Sequence, residues 1–275
     1  MLSWSMNLFR VRGIQLAVHS SFFLLLAYVA WLGWQPDPEF GDAGSGWSGM
    51  LWNVVTLLAF FTCVVLHELG HSFTAMRYGV GVRRILLMPI GGMAEFDSIP
   101  RQPSRELLIT IAGPAVNFAI AAALWALAGL PAAWPFGDYE FAPGVAGLLQ
   151  LLIHWNIIMG VFNLVPVFPM DGGRVFRALL ATKLSYLRAT LIAATVGKVL
   201  ALAAVAVALL APRLGLATSP AYMLALLFAF IFFAGDLEYR AAVRREQEEA
   251  HWRELVARFQ VDQQRPLDDP PVLSP

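Results

Sequence analysis

The chain has 275 residues, 58% of them hydrophobic and only 14% charged, with a mean hydropathy of +0.63. Ordinary soluble domains run at about 45–50% apolar and about 25% charged, so this composition excludes a soluble globular enzyme, and 9 Trp with 19 Phe exclude a disordered chain. Lys+Arg and Asp+Glu both total 19, which leaves no excess charge for binding nucleic acid, and the one cysteine, Cys63, permits neither a disulfide framework nor a cysteine-cluster metal site.

What remains is a membrane protein in contact with the lipid bilayer. A spanning helix needs roughly 20 apolar residues. Six segments qualify or nearly so: 16–34, 51–76, 107–130, 144–165, 191–211 and, more weakly, 217–235, where Pro220 suits a first helical turn. The first follows Arg10 and Arg12 without a small-residue cleavage site behind it, which predicts a retained span rather than a signal. The flanking charges alternate. Asp37, Glu39 and Asp42 follow the first span, and Arg77, Arg83, Arg84, Arg101 and Arg105 the second. Asp138 and Glu140 follow the third, Arg174, Arg177, Lys183 and Arg188 the fourth, and Arg240, Arg244 and Arg245 the sixth. The positive-inside rule then predicts a multi-pass protein of the cell membrane with both termini cytoplasmic. Lys198, inside the fifth span, must pair with a carboxylate, snorkel, or mark a span that begins after it.

Two connecting regions are more than loops. Residues 80–97 mix β-branched and apolar residues around Gly91-Gly92, which predicts strands or a hairpin, with a re-entrant plug as the alternative. Residues 236–262 are charged and helical in pattern, with Leu237, Val243, Trp252, Leu255 and Phe259 as apolar anchors, and the residues after Pro266 read as disordered. The expected fold is an all-α polytopic membrane protein of about six transmembrane helices, with a small β or re-entrant element between the second and third. Its expected organisation is a membrane-embedded domain over 1–235 and a cytoplasmic helical tail over 236–275.

The second span carries His67-Glu68-Leu69-Gly70-His71, the pattern H-E-x-x-H. Histidines one turn apart share a helix face, and neutral imidazoles at that spacing can both reach one zinc at about 2.0–2.1 Å. Glu68 points partly aside, where it can take a proton from water at the metal. Three polar groups inside an apolar helix cost several kcal/mol unless something satisfies them. The alternative is a bundle-facing histidine pair hydrogen-bonded to other helices, with Glu68 protonated.

Zinc needs a third protein ligand, for which the candidates are His19, Cys63, Glu95, His154 and Asp171. Cys63 precedes His67 by one turn, but three ligands along one helix would be strung over about 12 Å. Asp171 is the better choice. It follows Asn163-Leu164-Val165-Pro166-Val167-Phe168-Pro169-Met170 and precedes Gly172-Gly173. The prolines break the fourth span there, and the glycines let backbone approach closely. A helix cap at the membrane boundary is the other reading of Asp171. His19 and His154 are either lining for a water route or structural groups, and Glu95 is equally open.

Together these segments resemble the site-2 protease family of intramembrane zinc metalloproteases. The resemblance rests on His67-Glu68-Leu69-Gly70-His71 and on Asn163-Leu164-x-Pro166 leading to Asp171-Gly172-Gly173, with Gly113-Pro114-x-x-Asn117 and Gly91-Gly92 similar to further family segments. It implies one zinc per chain held by His67, His71 and Asp171, with Glu68 as catalytic acid/base and Asn163 positioning or polarising the substrate. The implied activity is hydrolysis of a peptide bond within or near the transmembrane segment of a membrane-protein substrate, as in regulated intramembrane proteolysis. His67 lies about 14 Å along its helix from Met76, which puts the metal within the membrane toward the cytoplasmic side. Asn117 is expected to help helices pack around the motif. The rival is a polytopic ion or solute transporter using the same buried polar residues, against which the missing inverted repeat counts. A homo-oligomer is compatible with the sequence and not indicated by it.

Overall fold

A computed structural model describes residues 4–36, 46–97, 101–128, 144–213, 215 and 221–263. The loop acids Asp37, Glu39, Asp42, Asp138 and Glu140, Pro220 and the stretch after Pro266 lie outside the described residues. The chain divides into two compact units, 1–183 and 184–275.

The first unit opens with strands where a helix was expected to begin. Strand β1 (Ser5–Val11) turns through Arg12 and Gly13, both at positive φ, into β2 (Ile14–His19). A two-residue turn of that conformation matches the twist of a hairpin. Arg10 donates to the Gln15 side chain across it, and the Arg12 guanidinium lies over the Phe73 ring. Helix α1 (Ser20–Trp34) follows, capped by His19, whose Nδ1 accepts from the Ser21 amide at 3.2 Å. The expected first span, 16–34, therefore spends its opening residues on a strand and leaves an apolar helix of 15 residues.

Helix α2 (Gly46–Arg77) leads to β3 (Val82–Met88) and β4 (Gly91–Phe96), the strands expected over 80–97. All four strands form one sheet in the order β1-β2-β3-β4, in which β2 pairs β3 in parallel and the other pairs are antiparallel. β1 and β4 are its edges. Ile14, Leu16 and Ile85 of the sheet pack on Leu69 of α2, and Val18 and Leu87 pack with Phe22, Phe61 and Val64. Burying β2 against α2 is what pulls residues 14–19 out of the first helix.

Helix α3 (Pro103–Ala128) starts on a proline, which suits a first turn, and runs alongside α2. α4 (Val145–Asn163) packs on α3 through Ala121 and Ile153, and α5 (Asp171–Ala181) follows an irregular turn rich in proline. In the second unit, α6 (Tyr186–Leu210) lies against α7 (Tyr222–Gln263). There Lys198 meets Asp236 at 2.5 Å, and Asp236 also meets Arg240 at 2.7 Å, so the lysine of the fifth apolar segment has the carboxylate it needed. One helix, α7, carries both the last apolar segment and the charged stretch after it.

The described residues are mostly helical, and five helices are long and apolar enough to cross a membrane: α2, α3, α4, α6 and α7.

Candidate metal centre

Helix α2 distributes three tasks around its circumference. Phe61, Val64 and Leu69 face the sheet. His67 and His71, 5% and 7% exposed, turn toward α3. Glu68, half-buried, points at β4, where a Cβ on Gly92 would come within 2.7 Å of its Cγ. Glycine at 92 thus leaves the space that the carboxylate side chain fills.

Each imidazole is oriented by its Nδ1. His71 Nδ1 stands 2.8 Å from the Ile109 carbonyl, which can only accept, so Nδ1 carries the hydrogen. His67 Nδ1 donates to Asn117 Oδ1 at 2.5 Å. Both Nε2 atoms then present lone pairs, 3.1 Å apart on rings at 85° to one another. Asp171, the first residue of α5, completes a triangle: its Oδ2 is 3.4 Å from His67 Nε2 and 3.2 Å from His71 Nε2. That oxygen is buried and has no hydrogen-bond partner.

Three converging lone-pair atoms in a dry site repel one another unless a cation lies among them. Ligands of a tetrahedral zinc at about 2.0–2.2 Å stand roughly 3.3–3.6 Å apart, close to the spacing of this triangle. Two imidazole nitrogens and one carboxylate oxygen are also a zinc donor set of the catalytic kind, leaving one position open. The residues fit zinc, and among the described residues His67, His71 and Asp171 are the group that could hold a metal ion.

The remaining candidates stand elsewhere. His19 caps α1. Cys63 is buried beside Asn156. Glu95 pairs with Arg84 at 2.8 Å across β3 and β4, and that guanidinium holds the carboxyl below the usual carboxylate range. His154 lies half-buried on α4, apart from the metal-competent group. Asn163 ends α4 with its amide donating to the Met159 carbonyl at 3.0 Å, one turn back on its own helix.

Several residues at the site were missed or read differently from sequence. Asn117, expected to help helices pack around the motif, is buried between α2 and α4; it also orients His67 and donates to Asn156, a residue the sequence did not single out. Gly113, in the same motif, makes room for the two imidazoles: a Cβ there would sit 2.2 Å from His71 Nε2 and 2.8 Å from His67 Cε1. Arg177 was counted among the cytoplasmic charges. It is buried, donating through Nε at 2.9 Å and Nη2 at 2.5 Å to Glu106 of α3, with its guanidinium over the Phe168 ring. It therefore ties α5 and the turn before Asp171 to α3.

Comparison with known proteins follows the same residues. The family model described as peptidase family M50 matches residues 55–133 and 132–204. A zinc metalloprotease of Methanocaldococcus jannaschii is 38% identical over 239 residues, covering 87% of this chain and 62% of its own length. Stage IV sporulation protein FB of Bacillus subtilis is 28% identical over 138 residues, 50% of this chain and 44% of its own length. The structure of the site-2 protease from Methanocaldococcus jannaschii superposes with a TM-score of 0.56 at 38% identity, covering 86% of this chain and 95% of that one. The chain thus spans less than two thirds of the length of these two relatives.

Proposed function

This chain belongs to peptidase family M50, and from that premise we propose that it is an intramembrane zinc metalloendopeptidase. Its substrate is a membrane protein, cut within or near a transmembrane segment. The observation that carries the reading is the triangle of His67 Nε2, His71 Nε2 and Asp171 Oδ2, built partly on an apolar helix, with Glu68 on the next residue. Family membership weighs against the ion-path alternative.

In this reading His67, His71 and Asp171 hold one zinc, and the zinc, when bound, supplies a Lewis acid that polarises a carbonyl and acidifies water. The chain's own residues do the rest. The Glu68 carboxylate accepts a proton from the attacking water as its oxygen adds to the peptide carbon. It then returns that proton to the leaving nitrogen as the C–N bond breaks. Asn163 is assigned to positioning the substrate. A helical substrate has its carbonyls bonded internally, so the cut segment must open, and an open segment in lipid needs backbone partners. Strand β4 is a sheet edge whose Gly92 lies against Glu68. This supports β-addition of substrate to that edge over a plug role for 80–97.

The proposed topology is six passes with α1 as the first, both termini cytoplasmic and the metal toward the cytoplasmic side. The charged part of α7 forms a tail outside the bilayer. Cysteine accessibility at both termini and at residue 174 tests this: labelling from the cytoplasmic face alone is expected, and opposite labelling of any site overturns it.

Glu68→Gln tests the chemistry. Reconstituted with a reporter carrying a transmembrane helix, the variant is expected to keep its zinc while cleavage falls about 10²–10⁴-fold. Full cleavage with zinc retained would remove Glu68 from the mechanism.

A further inference from the structure

Asn156 is a buried polar group that the proposed chemistry leaves unused. It is 1% exposed in the middle of apolar α4, where an unpaired amide costs several kcal/mol. Its side chain can be read in one direction only. The Leu152 carbonyl, one turn back, only accepts, so the Asn156 group 2.7 Å from it is the NH2. The opposite end, Oδ1, therefore faces α3, where Asn117 Nδ2 donates to it at 2.8 Å. With its NH2 spent there, Asn117 presents Oδ1 to His67 Nδ1 at 2.5 Å. A backbone carbonyl on α4 thus fixes the sense of a chain of bonds that crosses to α3 and ends on α2.

We propose that Asn156 is a positioning residue for the metal centre: acting through Asn117, it selects the His67 tautomer whose Nε2 lone pair faces Asp171. The proposal rests on the reading of His67, His71 and Asp171 as zinc ligands. The two ends of an amide are nearly alike in shape, so Asn117 alone does not fix which one meets His67. With the Asn156 acceptor gone, Asn117 can offer NH2 to His67 Nδ1. That contact favours the tautomer with hydrogen on Nε2, which cannot ligate. Outer partners of this kind typically set metal affinity by 10–100-fold.

The experiment is zinc competition against a chromophoric chelator, on the detergent-purified full chain. The set is wild type, Asn156→Leu, Asn156→Leu with Asn117→Asp, and His67→Ala as the reference for a lost ligand. Leucine keeps the γ-branched outline of asparagine and offers no acceptor. Aspartate at 117 accepts through either oxygen, so it needs no neighbour to orient it. Zinc affinity is expected to fall about 10–100-fold in Asn156→Leu and to return to near wild type in the double variant. The visible bands of the Co²⁺-loaded protein should shift and recover in parallel. Asn156→Ala, run alongside, carries the same expectation should leucine prevent folding. Wild-type affinity in Asn156→Leu would overturn the proposal. So would a loss that Asn117→Asp fails to restore, because a packing defect is not repaired by a carboxylate on another helix. Wild-type protein that binds no zinc would instead overturn the ligand reading beneath it.

Discussion

Gly113 and Gly92 set the two halves of the chemistry apart. A methyl group on Gly113 would collide with His71 Nε2 and His67 Cε1, two of the atoms that shape the donor triangle. Gly113→Ala is therefore expected to lower zinc affinity more than tenfold, read by metal analysis after dialysis against a weak chelator. On Gly92 the same methyl would press on Glu68 Cγ. Gly92→Ala should leave zinc content unchanged and slow cleavage about 10²-fold, since a displacement near 1 Å costs that much in a positioned group. Equal loss of zinc in both variants would contradict this division. The histidine spacing was legible in the sequence because it lies within one helical turn. Asn117 was legible as a motif residue but not as a ligand partner, because its contact lies 50 positions away from it. Asn156 left no signal at all: a single asparagine in an apolar helix has no local pattern, and its partner is 39 positions distant.

At the level of elements, the buried pair of Arg177 and Glu106 fastens α5 to α3. Charge counting along the chain placed Arg177 with the cytoplasmic arginines because its partner is 71 positions away. Removing one member strands a charge in a dry place, at a cost of about 3–5 kcal/mol, whereas removing both costs much less. Arg177→Met and Glu106→Leu should each lower the melting temperature in detergent more than the double variant does. An additive double variant would mean that the charges do not act as a pair. The strands β1 and β2 escaped the sequence reading for two reasons. Their turn, Arg12-Gly13, lacks the Asn-Gly signature, and β2 is a strand because it pairs with β3, which periodicity cannot register. The β3–β4 pairing carries a modest pH dependence. Arg84 lowers the Glu95 carboxyl below its unfolded value of about 4.3. The stabilisation is thus present above that value and disappears as pH falls through the lowered folded one. At half-exposed sites it amounts to under about 1 kcal/mol. The small excess melting temperature of wild type over Glu95→Gln should be present at pH 6 and shrink as the pH is lowered below 4.

The first unit, 1–183, is tied together at the candidate metal centre, to which α2, α3 and α5 all contribute. Zinc at 100 times its dissociation constant would add about 2.7 kcal/mol to stability. Chelation should therefore lower the melting temperature of wild type and leave that of His67→Ala unmoved; equal shifts in both would place the zinc elsewhere. The distribution of tasks around α2 also has a consequence for how freely this chain can change. Leu51, Val55, Leu58, Thr62 and Leu66 form an exposed stripe down the helix, three or four residues apart, and from His67 to Ala75 none of the residues is exposed. In a library of all single substitutions, tolerance should rise and fall with helical period as far as Leu66 and then cease. The next nine positions should admit little drift, because His67, Leu69, His71, Ser72 and Ala75 are buried, Glu68 lies against Gly92 and Gly70 against the α3 backbone.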